Sequence, residues 1–312
     1  AGGAIALALW RGAGLRPAAA LALAGGAVLL VRMMITANNF MLSARLRAPS
    51  PPQFQLTRTA RLRLFAEEFR ATMLYSSWFM PRAKAVSEVY ADSAAPPVLL
   101  LHGYVCNSGY WSHLLPHLRA RRISHAAPDL EPLMGAIDDY VPMVAHALEQ
   151  LCARSGAGQA VIVGHSMGGL VARAYLRAHG SARVARVITL GTPHHGTGLA
   201  QFGPGENAVQ MRRAADGPQP ESAWLRALAA SENGATRALI TSLYSHHDNI
   251  VAPASSCALP GAANVELCGI GHVAMARHPL VLARVLDELA ALPAAAAQQA
   301  RPTACSPKSM IE

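Results

Sequence analysis

Ser166 is the residue whose surroundings most directly indicate covalent chemistry. It is the central residue of a G-x-S-x-G run that follows the apolar residues 160–163 and precedes a helical pattern over 168–179. In that context the serine must occupy a strained strand-to-helix turn, which holds its hydroxyl clear of the sheet. Gly164 and Gly168 allow the strand and the helix to approach closely, because neither glycine carries a Cβ. Ser166 is therefore predicted to be a nucleophile.

A serine hydroxyl becomes nucleophilic when a base takes its proton, and an acid has to orient that base. After a nucleophile on such a turn, the acid and then a histidine follow along the chain. Asp248 follows a predicted strand over 238–244, and His272 follows a predicted strand over 264–267. These two residues are the predicted acid and base. Three others are placed less favourably, in an insertion, inside a strand and before a proline: Asp216, Glu266 and His278.

Nucleophilic attack on a carbonyl creates a negative oxygen, which two backbone N–H donors can stabilise. One donor is expected from Met167, directly after the nucleophile. The other is expected from Tyr104, in the His102-Gly103-Tyr104 loop that follows a predicted strand over 98–101. Gly103 would permit the tight turn that aims this loop. The alternative is that His-Gly only ends the strand.

The other histidines near strand ends are interpreted as structural. His194 and His195 lie in a G-T-P-H-H-G run, where hydrogen-bonded histidines in a turn are favoured over a contact with substrate. His246 and His247 adjoin Asp248 and are expected to pack around it. These histidines lack the helical i, i+4 spacing and the accompanying cysteines or carboxylates of a metal site. We therefore predict no metal and no cofactor.

Alternating strand and helix patterns position the candidate residues. Short apolar runs end at those residues and helical patterns lie between the runs, which is typical of βαβ units and a parallel sheet. In such a sheet the chemistry lies just past the carboxyl ends of the strands. The predicted strands are 98–101, 160–163, 184–190, 238–244 and 264–267, and the predicted helices are 111–121, 137–153, 168–179 and 279–292.

The formal net charge of +9 is concentrated near the N-terminus. Residues 1–70 hold nine arginines against Glu67 and Glu68, and the rest of the chain is nearly neutral. No aromatic RNA-binding motif, zinc-finger spacing or basic groove accompanies these arginines, which argues against nucleic-acid binding. With 52% hydrophobic and 14% charged residues, most of the chain is also too apolar to be intrinsically disordered.

Two uncharged runs, 1–10 and 17–31, precede most of the basic residues. The second run is shorter than the roughly 20 residues that span a bilayer. However, apolar residues resume after Arg32, and an arginine near the end of a span can reach the interface. We expect a membrane hairpin whose first span is truncated, with a signal peptide as the alternative. An amphipathic surface helix is disfavoured because the run has no polar face.

The five cysteines are odd in number and irregular in spacing, which excludes a disulfide scaffold and a C-x-x-C site. Cys257 and Cys268 either pair, if the domain faces an oxidising compartment, or are free buried thiols. The full set is Cys106, Cys152, Cys257, Cys268 and Cys305.

Five short motifs together carry a family resemblance: HGY (102–104), GHSMGG (164–169), GTPHHG (191–196), HDNIV around Asp248, and GIGH (269–272). As a set they resemble the α/β-hydrolases of the bacterial lipase/esterase group, over roughly residues 95–290. The resemblance implies an α/β-hydrolase fold, with a mostly parallel sheet and helices on both faces, preceded here by N-terminal apolar helices. It also implies the roles given above for the nucleophile, acid, base and two N–H donors.

Many secreted lipases hold a calcium ion with a pair of aspartates near the catalytic histidine, and this sequence differs from them at that position. Residues 249–275 contain no aspartate and only Glu266 as an acid. We therefore predict no calcium requirement.

Composition divides the chain into four segments. Residues 1–44 are predicted membrane-anchor helices, 45–84 a basic linker with a short helix, 85–292 the hydrolase domain and 293–312 a disordered tail. Within the domain, the insertion 197–236 is predicted to cap an acyl pocket, because loops of this length in compact domains are usually functional or disordered. A surface excursion with a short helix near 221–231 is the alternative.

The predicted protein is a bacterial, membrane-anchored serine hydrolase that cleaves carboxylic esters of acyl lipids. Its expected partners are an apolar acyl-ester substrate and the membrane. The arginines after the second apolar run favour a cytoplasmic position for that side of an inner membrane, with export as the alternative. The functional alternatives are a short-chain esterase or thioesterase with the same residues, and a non-catalytic membrane-associated binding protein.

Overall fold

The central sheet is nearly all parallel, as the alternating pattern predicts. The computed structural model describes residues 2–14, 16–46, 51–214 and 219–292. Within them the strands are β1 Val86–Glu88, β2 Val98–Leu101, β3 His125–Ala127, β4 Ala160–His165, β5 Val184–Leu190, β6 Ile240–Ser245 and β7 Ala263–Leu267. They pair in the order β1-β3-β2-β4-β5-β6-β7, and β1 runs antiparallel to β3 while the other described pairs are parallel.

Helices cover both faces of this sheet. The α-helices of the described residues are α1 Gly2–Gly12, α2 Pro17–Leu46, α3 Arg58–Leu74, α4 Leu115–Ala120, α5 Val141–Ser155, α6 Met167–His179, α7 Glu206–Gln210, α8 Ala223–Ala230, α9 Gly234–Ala238 and α10 Pro279–Ala290. Helices α5 and α6 pack on one face together with Leu99 and Ile162. Helices α4 and α10 pack on the other face with Leu100 and Val163. Because successive strand residues point to opposite faces, continuous apolar runs such as β2 fill both layers.

Several predicted elements differ from the observed ones at their ends. The predicted helix 111–121 is a 3₁₀ segment, Ser108–His113, followed by α4, which begins beside Pro116. A proline fits the first turn of a helix but interrupts a continuous one. Strand β6 begins at Ile240 rather than 238, because the preceding residues form α9, capped by the Asn233 side chain. Strands β1 and β3 were not predicted; each has three residues and no strong apolar run.

Helix α2 is long and apolar. It has 30 residues, its most apolar window has a mean hydropathy of 2.1, and 11% of that window is buried. Among the described residues it is the helix that could cross a membrane, by length and composition, and a signal sequence near the N-terminus meets the same criterion. Helix α1 packs against it through small side chains, since Ala6, Ala20 and Ala24 are all buried.

The second half of α2 packs on the body of the protein, which is formed by the sheet and its covering helices. Arg32 donates a hydrogen bond to Ser76, which follows α3. The Phe40 ring lies 5.8 Å from the Phe65 ring of α3. Helix α2 is therefore in direct contact with the body that carries the candidate site. The predicted tail, 293–312, and Asp216 lie outside the described residues.

Candidate active site

The turn at Ser166 has the strained geometry that the G-x-S-x-G run predicts. Ser166 lies between β4 and α6 with φ 53° and ψ −123°, a conformation that costs free energy for any residue with a side chain. A Cβ on Gly164 would lie 2.6 Å from the Gly169 nitrogen, and one on Gly168 would lie 2.2 Å from the Leu101 oxygen. Glycine is therefore required at both positions for this turn to form.

Asp248 and His272 form a buried pair at the ends of β6 and β7. His272 Nδ1 lies 2.7 Å from Asp248 Oδ2, and the side chains are 6% and 0% exposed. The other carboxylate oxygen, Oδ1, accepts hydrogen bonds of 2.8 Å from the backbone N–H groups of Ile250 and Val251. The His272 backbone N–H donates to Asn249. The carboxylate is thus held in one orientation. Because Nδ1 of the imidazole faces this carboxylate, Nε2 is the ring nitrogen that the pair does not use.

The His272 ring has a raised pKa. Burial of the ring lowers its pKa, but the charge of Asp248, its hydrogen bond and the charge of Glu68 outweigh burial, so the pKa lies above the ordinary value of 6.5. Only a neutral imidazole can accept a proton from a serine hydroxyl.

The loop after β5 brings the serine and the pair together. The Ser166 N–H donates to the Leu190 carbonyl at 2.9 Å, and a Cβ on Gly191 would lie 3.2 Å from both Asp248 Oδ2 and His272 Nδ1. The ring of His165, next to Ser166, has its centroid 4.6 Å from that of His272. The predicted nucleophile, acid and base therefore meet at the carboxyl edge of the sheet.

Met167 and Tyr104, the two predicted N–H donors, flank the serine. Met167 is the first residue of α6, where the helix supplies no acceptor for the backbone N–H. Tyr104 lines the same cavity as Ser166. A Cβ on Gly103 would lie 3.0 Å from the Ser166 Cβ, so a glycine there allows close approach. The next residue, Val105, has φ 52°, a rare conformation for a β-branched side chain, which marks this loop as strained.

Glu68, a buried carboxylate on α3, is a site residue that the sequence analysis missed. Its Oε1 and Oε2 accept hydrogen bonds from the backbone N–H groups of Val273 and Ala274, at 3.0 and 2.9 Å. A Cβ on Gly271 would lie 2.4 Å from Oε2, so Gly271 makes room for this carboxylate. Burial raises the pKa of Glu68, and the two backbone hydrogen bonds oppose that shift. The residue therefore holds the loop that carries His272.

A signal for Glu68 exists in the sequence. Leu64, Glu68, Ala71 and Tyr75 follow one another at spacings of four, three and four residues, and all four are buried. A charged residue on the apolar stripe of a helix needs a buried partner. The sequence does not say which segment, some 200 residues away along the chain, provides it.

We expect Glu68→Gln to shift the pH profile and to reduce activity. Gln lacks the negative charge that raises the pKa of His272, so the acid limb of kcat/KM should move to lower pH. Its amide can accept only one of the two backbone hydrogen bonds, and losing a hydrogen bond to a charged group costs about 1.5–3 kcal/mol, or about 10- to 100-fold in kcat/KM. The measurement is kcat/KM between pH 5 and pH 9.

The matched control for this variant is Glu67→Gln. Glu67 is a half-exposed neighbour that pairs with Arg70 and Arg277 instead of the His272 loop. It should leave both the acid limb and the rate unchanged. A Glu68→Gln profile that overlays the wild-type profile would show that Glu68 does not act on His272.

His194 and His195 form hydrogen bonds with neighbouring side chains, in line with their interpretation as structural residues. His194 lies 3.1 Å from Thr189 Oγ1 through its Nε2, and its carbonyl accepts from buried Arg173. His195 pairs with Glu221 at 2.7 Å. Arg173 also forms a buried bidentate ion pair with Glu232, with N–O distances of 2.6 and 2.9 Å. This ion pair links α6 to the insertion 197–236.

The sequence left open whether Cys257 and Cys268 form a disulfide or are free buried thiols. Cys257 and Cys268 are free thiols; Cys257 is buried, as expected, but Cys268 is exposed. Cys305 lies outside the described residues.

His246 stacks on Phe54 with a centroid distance of 4.2 Å and hydrogen bonds to Glu266. No group of three or more His, Cys, Asp or Glu among the described residues could hold a metal ion.

A mainly apolar cavity of about 510 Å³ opens onto Ser166. Its size lies within the usual range for small-molecule sites. Part of its wall comes from the insertion 197–236, through Leu199, Phe202 and Met211, and Val251 completes that side. Phe202 is 63% exposed, so the wall continues onto the surface. The cavity therefore places a mainly apolar lining beside the serine.

Comparison with known proteins supports the fold. Residues 96–216 match the family described as the α/β hydrolase fold. The fold is that of an α/β hydrolase, with an additional apolar N-terminal helix, and the matched residues include Ser166.

Two curated relatives are triacylglycerol lipases. The lipase of Burkholderia plantarii is 33% identical over 136 residues, which is 38% of this chain and 36% of the relative. The lipase of Pseudarthrobacter phenanthrenivorans is 34% identical over 119 residues, which is 34% of this chain and 35% of the relative. This chain thus matches about a third of the length of each relative.

Solved structures of lipases share the fold. The mature form of the Bacillus licheniformis lipase BlEst2 superposes with a TM-score of 0.57 at 20% identity, over 66% of this chain and 97% of that one. Aspergillus fumigatus lipase B superposes with a TM-score of 0.52 at 20% identity, over 64% of this chain and 54% of that one.

Proposed function

We propose that this protein is a membrane-anchored serine hydrolase that cleaves carboxylic esters of acyl lipids. The observation that carries the proposal is the buried Asp248–His272 pair beside a strained serine at an apolar cavity. The lipase relatives support an ester as the substrate. The length and composition of α2 support the anchor, in a bacterial inner membrane, and the alternative is an exported protein whose signal sequence includes α2.

In the proposed reaction, Ser166 Oγ attacks the ester carbonyl carbon while its proton passes to His272 Nε2. The carbonyl oxygen becomes negative and accepts hydrogen bonds from the N–H groups of Met167 and Tyr104. His272 then gives its proton to the leaving alcohol oxygen as the carbon–oxygen bond breaks, which leaves an acyl-enzyme. Water, deprotonated by His272, attacks this ester, and the carboxylic acid is released with Ser166 reprotonated. Asp248 stabilises the imidazolium form throughout.

The test is hydrolysis of p-nitrophenyl esters from acetate to palmitate by the full chain in detergent. We expect kcat/KM to rise at least tenfold between acetate and octanoate, because each buried CH₂ contributes about 0.8 kcal/mol. Activity confined to acetate and propionate would instead favour a short-chain esterase, and activity on acyl thioesters alone would favour a thioesterase. A protein that cleaves no ester and does not react with a fluorophosphonate would be the non-catalytic binding protein.

A further inference from the structure

Helix α2 changes character along its length. Before Arg32, the large apolar side chains Leu21, Leu23 and Leu30 are more than half exposed, as lipid-facing residues of a spanning helix would be. After Arg32, Thr36 and Ser43 are buried, and the Phe40 ring lies 5.8 Å from the Phe65 ring of α3. The first half of the helix is therefore mainly exposed and apolar, whereas one face of the second half packs on the body that carries the site.

The packed half reaches the cavity at Ser166. Asn38, Asn39 and Leu42 line that cavity together with the serine. Asn38, Leu42 and Leu46 are spaced four residues apart and so share one face of the helix. Leu46 continues the contact, since a Cβ on Gly198 would lie 2.7 Å from its Cδ1. This face of α2 closes the side of the cavity next to the insertion 197–236.

The depth of these residues matches the position of ester groups in a bilayer. About 20 helical residues cross the hydrocarbon core, so a span that begins at Pro17 ends near residue 36. Asn38 and Asn39 then lie at the level where lipid ester groups meet water. Exposed apolar side chains border the same region: Phe202 is 63% exposed and Met134 is 47% exposed, and the Met134 carbonyl accepts from the N–H of Glu206.

We infer that α2 forms one wall of the acyl site, so that the substrate is a long-chain lipid ester resident in the bilayer. Its acyl chain lies against Leu42, and its oxygens other than the carbonyl oxygen under attack face the amides of Asn38 and Asn39. This inference rests on the proposed function and adds to it a substrate class and a second role for the anchor helix. A helix that only tethered the enzyme would need no contact with the cavity.

The first test compares Leu42→Trp with Met41→Trp. An indole at position 42 should fill the cavity, so the ratio of kcat/KM for p-nitrophenyl laurate to that for p-nitrophenyl acetate should fall at least tenfold. Met41 is the adjacent residue, is 48% exposed and does not line the cavity, so its replacement should keep the wild-type ratio within twofold. An unchanged ratio in Leu42→Trp, with an active wild type, overturns the inference and leaves the proposed function intact.

The second test needs no variant and therefore does not depend on folding of a mutant. A fluorophosphonate with a twelve-carbon chain and a terminal diazirine is reacted with the wild type and then irradiated. The tail should crosslink to the tryptic peptide of residues 33–45, which contains all three α2 wall residues. Crosslinks found only in the insertion 197–236 overturn the inference. Absence of a phosphonylated Ser166 would overturn the proposed function itself.

Discussion

Replacing Ser166 by alanine is expected to reduce kcat for p-nitrophenyl ester hydrolysis by a factor on the order of 10⁶. The reason is that the strained turn presents the Ser166 hydroxyl beside the buried Asp248–His272 pair. The fold should be retained, since alanine removes one oxygen and leaves the Gly164 and Gly168 contacts in place. The measurement is single-turnover hydrolysis, with labelling by a fluorophosphonate read by mass spectrometry.

Ser255→Ala is the control for this variant. Ser255 is exposed and lies in the 3₁₀ segment Ala254–Cys257, so wild-type activity and labelling are expected. Residual hydrolysis in Ser166→Ala within a hundredfold of the wild type would show that another group performs the nucleophilic attack.

The second large effect is expected for Asp248→Asn, which should lower kcat by about 10⁴-fold. In the wild type, Oδ1 accepts from the N–H groups of Ile250 and Val251, and Oδ2 faces His272 Nδ1. An introduced amide must keep its oxygen toward the two N–H groups, so its NH₂ turns toward Nδ1. The imidazole then carries its proton on Nε2 and cannot accept one from Ser166.

This variant should also lower the pKa of His272, because the Asp248 charge and hydrogen bond are causes that raise it. The acid limb of kcat/KM should therefore move to lower pH while the plateau falls. Asp92→Asn is the matched control, since Asp92 pairs with Arg122 on the surface, where both side chains are more than half exposed. A loss below tenfold in Asp248→Asn would assign the orienting role to another acid, with Glu68 as the nearest candidate.

The turn at Ser166 could be predicted from the sequence. The turn at Ser166 depends on a strand, a helix start and two glycines that are all neighbours in the chain, so short-range sterics specify it. The placement of Asp248 and His272 at the same sheet edge could also be predicted, because strand ends in a parallel sheet share one edge and the order of the strands along the chain limits the choices. For the same reason, the mostly parallel sheet with helices on both faces could be predicted from alternating patterns alone.

Features that depend on the choice of one particular packing partner could not be predicted. The short strands β1 and β3 carry too few apolar residues to be recognised, and they form because a sheet edge is available for pairing. The buried position of Glu68 depends on Val273 and Ala274, more than 200 residues later in the chain. A helix pattern indicates which face is apolar but not which segment covers it.

The sequence by itself determined the class of fold, the turn at Ser166 and the apolar character of the N-terminal helix. Each of these follows from periodicity or from steric contacts between residues that are close in the chain. Only the tertiary structure decided that Glu68 holds the His272 loop and that Asn38, Asn39 and Leu42 of α2 line the cavity at Ser166. These contacts join segments over 100 residues apart. Their identity is set by how whole helices pack, since many apolar faces are chemically interchangeable until packing selects their partners.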